Sequence, residues 1–194
     1  MMRVLLSALA GAIVYFIWQM LAWMMLPIHG PTISSLPNEA AVRDVLVQQN
    51  VDSGVYIVPF GTNEEMADPD SEFMKRHQEG PIFAIYYHKS GLDPMMMSVM
   101  LTGFVVDFLG VLLAATLLAC ASDARCYRTY FARVGFVTGL GVFLGLMGHM
   151  TYHIWMHFDL YYTVMFVVDV VVGWFLVGLV VATIVRPKKP IEAT

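Results

Sequence analysis

The chain has 194 residues, of which 58% are hydrophobic and 13% charged, and its formal net charge is −4. A soluble domain carries about 25% charged residues, so this composition argues against a water-soluble core. The acidic balance excludes nucleic acid as a partner.

Four apolar runs, 4–26, 95–120, 134–156 and 161–185, each meet the length needed to cross a bilayer. The hydrocarbon layer is about 30 Å thick and takes about 20 apolar residues of helix. The expected fold class is an all-α integral membrane protein. It is a four-transmembrane-helix bundle with a small α+β extracytoplasmic insert between helices 1 and 2. The expected segments are helix 1 in 1–27, an extracytoplasmic cap in 28–94, and helix 2 in 95–120. A cytoplasmic loop (121–133), helix 3 (134–156), a short outer turn (157–160), helix 4 (161–185) and a cytoplasmic tail (186–194) complete the chain.

The first run begins like a signal peptide, with Arg3 and the small residues Ser7, Ala8, Ala10 and Gly11. A signal core is about 7–15 residues long and ends at a cleavage site. This run continues through Tyr15, Phe16, Trp18, Trp23 and Leu26, so an uncleaved anchor is expected.

In the cap, 38–49 reads as a short amphipathic helix and 55–59 as a strand. An acidic stretch, 61–80, carries a short helix at 71–77, and 81–88 reads as a second strand. A module of this size is marginal alone, so it is expected to pack on helix ends or on a partner.

Orientation follows from Lys and Arg. Seven basic residues flank one side of the spans (Arg3, Arg125, Arg128, Arg133, Arg186, Lys188, Lys189), against four in the cap, which also holds ten acids. Both termini are therefore expected in the cytoplasm and 28–94 in the periplasm of a bacterial inner (plasma) membrane. Cys120 and Cys126 then face a reducing compartment and read as inert.

Helix 3 carries the sharpest pattern: Gly141, Gly145, His149, His153 and His157 recur every fourth residue. At 100° per residue such a series drifts slowly around one face. Gly141 and Gly145 suit close helix packing. The other spans contribute Gln19, Asp107 and Asp169, with Gly103 and Gly110 on the Asp107 stripe. At 1.5 Å per residue, His149, Asp169 and Gln19 lie roughly 10–12 Å below the outer boundary and Asp107 about 18 Å below it. All four spans thus supply one polar layer: Gln19, Asp107, His149, His153 and Asp169. An acid at that depth is protonated, paired or turned to a wet cavity. The expected pairing is His149 with Asp169 or Asp107. The bland alternative is that the layer only glues helices together.

Eleven of the fifteen methionines fall toward the outer ends of spans. Thioether and imidazole donors suit Cu(I), so His149, His153, His157, Met96, Met100 and Met156 form a candidate metal set with copper as its ion. Methionine also fills packing gaps, which competes with that reading. Haem or pigment contact is a weaker match. Bis-histidine ligation draws on two facing helices, whereas the intramembrane histidines are all on helix 3 and His29 and His88 fall outside the spans. Aromatic residues including Trp18, Trp23, Tyr152 and Trp155 suit an interfacial belt. No nucleophile–base pattern points to an enzyme.

The sequence favours a non-catalytic accessory or structural subunit of a larger bacterial inner-membrane complex, respiratory or photosynthetic in type. Its partners are the lipid bilayer and other membrane subunits. The alternative is a small transporter or copper-handling protein that uses the His/Asp/Met layer. A membrane sensor that signals through a partner ranks third.

Overall fold

The computed structural model describes residues 1–94 and 96–187. Met95, Lys188 and Lys189, and with them most of segment 186–194, lie outside the described residues. Among those described, four helices are long and apolar enough to cross a membrane: Met2–Met24, Met97–Ala121, Tyr130–Met156 and Leu160–Ile184. The chain divides into two compact units. One holds Met1–Ser34 and the three later long helices, and the other is Ser35–Pro94.

In the first unit, α1 (Met2–Met24) is followed by a 3₁₀ turn at Gly30–Thr32. The cap supplies α2 (Glu39–Gln48), β1 (Gly54–Val58), α3 (Asn63–Ala67), α4 (Glu72–Glu79) and β2 (Phe83–Tyr87). The chain then returns through α5 (Met97–Ala121), α6 (Tyr130–Leu144), a π-helical segment (Gly145–Met150), α7 (Thr151–Met156) and α8 (Leu160–Ile184).

Helix ends follow local chemistry. The Thr129 hydroxyl accepts from the Ala132 amide at 3.2 Å and starts α6. Asp159 accepts from the Tyr162 amide at 2.9 Å and starts α8. Each occupies an N-cap position, where a side-chain oxygen satisfies an amide that the helix leaves over. His157 ends α7 in the left-handed conformation, with φ of 56°. Two expected boundaries move accordingly. The segment 130–133 is helical rather than loop, and α8 begins at Leu160 rather than after it.

Within the bundle, α8 packs on α6 and on α1, and α1 packs on α5. The interior holds an apolar cluster of Val111, Ala115, Leu118, Val137, Val177, Val181 and Val185. In a bilayer, where lipid is as apolar as valine, such a contact is stabilised by close packing rather than by escape from water. Glycines permit the approach. A Cβ on Gly173 would meet Tyr15 Cε2 at 2.5 Å and Trp18 Cδ1 at 2.8 Å, and one on Gly141 would run into Trp174. Gly145 lies against Val167. Gly103 and Gly110 have open space where a side chain would stand, so the stripe beside Asp107 is not a helix contact in this unit.

In the second unit β1 and β2 pair antiparallel, with Gly54 opposite Tyr87 and Val58 opposite Phe83. Thr62 and Glu65 form a reciprocal capping box at α3. On α4 the Lys75 ammonium hydrogen-bonds Glu72 at 3.0 Å and holds its carboxyl below the usual range.

Candidate functional site

The polar layer resolves into two separate acid sites, and the first includes a histidine that falls outside the spans in sequence. After α1 the chain turns sharply, with the Leu26 amide bonded to the Leu21 carbonyl at 2.8 Å. The 3₁₀ turn then fixes His29, whose carbonyl accepts from both the amide and the hydroxyl of Thr32, at 2.9 and 2.8 Å. The imidazole enters the bundle and is only 1% exposed. The segment 28–34 therefore belongs with the bundle, not with the cap where sequence placed it.

His29 Nε2 lies 2.8 Å from Asp169 Oδ2. The other carboxyl oxygen, Oδ1, accepts from Trp18 Nε1 at 2.6 Å. Both oxygens of Asp169 are thus engaged, as a buried carboxyl requires. Trp23 stacks on the imidazole at 4.1 Å between ring centres and 12° between planes. Phe166 packs beside this stack, with its ring centre 4.7 Å from the imidazole and 5.5 Å from Trp23. His29 Nδ1 is buried and has no hydrogen-bond partner among the described residues. This arrangement corrects the expected pairing: the histidine of Asp169 is His29, not His149.

The second acid, Asp107 on α5, is also buried. Gln19 Nε2 donates to its Oδ1 over a long 3.5 Å, so the expected alternative pairing of Asp107 with His149 is not formed. Oδ2 is buried with no partner among the described residues. Asp107 and Gln19 line a groove of about 510 Å³ with Ser98, Val99, Thr102, Gly103 and Val106. Thr102 Oγ1 donates to the Ser98 carbonyl at 2.7 Å.

Gly141 and Gly145 are buried against Trp174 and Val167 of α8, and His149 and His153, both half-buried, continue toward that helix and the turn into it, whereas His157 is exposed. The segment Gly145–Met150 is π-helical. The His149 ring meets Phe166 at 5.0 Å. His153 Nδ1 donates to the Phe158 carbonyl at 2.7 Å and ties down the turn into α8. His157 terminates α7.

The candidate copper donors are split. Met96 and Met100 belong to α5 and its N-cap, and α5 packs on α1, whereas the π segment and α7 that carry the histidines pack on α8. Among the described residues no three His, Cys, Asp or Glu side chains gather at a metal-sized point.

At the other end of the bundle, Arg133 is buried rather than part of a basic loop. It donates to the Arg128 carbonyl at 2.8 Å and the Tyr127 carbonyl at 3.4 Å. Its other terminal nitrogen donates to the Ala182 carbonyl at 3.2 Å, near the end of α8.

No protein-family model, no curated protein and no solved structure matches this chain.

Proposed function

We propose that the chain is an accessory subunit of a larger complex in a bacterial inner membrane, respiratory or photosynthetic in type, and that segment 35–94 is its docking module. One observation carries this reading. No Ala, Val, Ile, Leu, Met, Phe, Tyr or Trp side chain among 35–94 is buried. Val55 is 63% exposed, Phe60 73% and Tyr86 66%. A module of this size leaves a large fraction of its surface uncovered even when well packed. An exposed apolar patch of this kind marks a protein or membrane contact. The distribution of Lys and Arg supports both termini in the cytoplasm and the module in the periplasm.

The test is mass and proximity in the intact membrane. A photo-crosslinking residue at Phe60 or Tyr86 should give one discrete adduct, and the chain extracted in mild detergent should elute with the same partner. A lone monomer with no adduct overturns the reading.

A second reading, a small transporter, is favoured by the two buried acids in one layer of the bundle. In its copper-handling form, replacing His149 and His153 with alanine should abolish copper accumulation. Unchanged metal content and flux remove that form.

A further inference from the structure

The groove between α1 and α5 has a donor and acceptor balance that selects a ligand. Its polar lining is acceptor-rich. Asp107 Oδ2 is buried and has no partner among the described residues. The Thr102 hydroxyl hydrogen is committed to the Ser98 carbonyl at 2.7 Å, so its oxygen is left to accept. Ser98 also lines the groove, and its hydroxyl can accept as well as donate. The amide donor of the groove, Gln19 Nε2, is directed at Asp107 Oδ1.

No Lys, Arg or His is among the residues lining the groove. Asp169 has His29 and Trp18 as partners; among the described residues Asp107 has only a neutral amide at 3.5 Å. An acid at mid-bilayer is costly unless it is paired, protonated or wet. A counter-charge arriving as ligand offsets that cost.

The shape adds a second requirement. Val99 and Val106 flank the polar floor and are themselves largely exposed, so the groove opens sideways on the face that lipid would cover. Its volume of about 510 Å³ falls in the usual range for small-ligand sites. Gly103 has nothing within 4 Å of where a Cβ would stand, which leaves the middle of the groove clear.

We propose that this groove binds a lipophilic primary amine, with its ammonium on Asp107 and its apolar body between Val99 and Val106. An ammonium brings three donors and no acceptor, the complement of this lining. The ammonium of a phospholipid is tethered at the headgroup level. Asp107 lies nine residues beyond Ser98 along α5, roughly 14 Å at 1.5 Å per residue, so the ligand is a free amine and not a lipid headgroup. The inference requires the helices to lie in lipid but is separate from subunit docking: an absent partner leaves the chain monomeric, whereas an absent amine site leaves the probe unbound.

The test uses the full chain in phosphatidylcholine nanodiscs, with dodecylamine, dodecanol and dodecanoate as probes sharing one tail. Saturable binding of one dodecylamine per chain is expected, at least tenfold tighter than dodecanol, with no saturable dodecanoate binding. Asp107→Asn should weaken the amine tenfold or more. Gly103→Leu, which fills the groove and leaves the acid in place, should do the same. Equal binding of amine and alcohol, amine binding undiminished in both variants, or displacement of the amine by phosphatidylethanolamine each overturns the proposal.

Discussion

His29 and Asp169 stand 140 residues apart in sequence, yet their side chains meet at 2.8 Å inside the bundle. The contact joins the turn after α1 to the middle of α8, and Trp18 holds the same carboxyl from the α1 side. Removing one partner of a buried pair leaves an uncompensated polar group, at a cost of about 3–5 kcal/mol in soluble proteins. Hydrogen bonds between membrane helices average only about 0.6 kcal/mol. Because both groups are almost wholly buried, His29→Ala is expected toward the upper figure, about 3 kcal/mol, read from reversible unfolding in bicelles. His149→Ala, which loses an aromatic contact, should cost less than about 1 kcal/mol. Equal effects of the two substitutions would show that the pair is only glue.

The spans themselves were legible because hydropathy over twenty residues is a strong signal. The acids at 107 and 169 were equally legible, since charge in an apolar run stands out. The histidine that pairs with Asp169 was not. His29 follows a proline and lies beyond the apolar run, and only the sharp turn at Leu26 sends it back among the helices. The need of a buried acid for a partner was the one available hint. The helix 3 stripe was legible as far as His153, since Gly141, Gly145, His149 and His153 all turn toward α8 or the turn into it, while the π-helical segment at Gly145–Met150 was not.

The glycines separate packing from open surface. Adding a methyl at Gly173 drives it into Tyr15 and Trp18, which also disturbs the Trp18 bond to Asp169. Overpacking of this kind costs about 1–3 kcal/mol, so Gly173→Ala should lower stability by that amount. Gly110 and Gly139 have nothing nearby. Alanine there should be neutral or stabilising by up to about 1 kcal/mol, the difference in helix propensity. Thermal denaturation of the three variants in one detergent distinguishes the cases.

Arg133 fastens the loop before α6 to the end of α8 through three carbonyls. Carbonyls in the last turn of a helix have no partner within it, and a hydrogen bond from a charged group contributes about 1.5–3 kcal/mol. Arg133→Gln is therefore expected to loosen the 122–129 loop. Limited proteolysis should cut there faster than in the unaltered protein, while the cap is digested at the same rate. An unchanged loop rate would mean that Arg133 serves only as a topogenic charge.

Orientation can be read from the native thiols. Cys126 sits in the short 3₁₀ turn at Arg125–Tyr127 and is exposed, as is Cys120 at the end of α5. In the proposed topology two crossings, by α1 and α5, bring this loop back to the side of the N-terminus, and the excess of Lys and Arg favours the cytoplasm for that side. In intact spheroplasts an impermeant maleimide should leave Cys120 and Cys126 unmodified and should label a cysteine introduced at Glu64. After permeabilisation Cys126 should react. Labelling of Cys126 from outside, with Glu64→Cys protected, would invert the topology. It would move the exposed apolar surface of 35–94, and any subunit that covers it, to the cytoplasmic face.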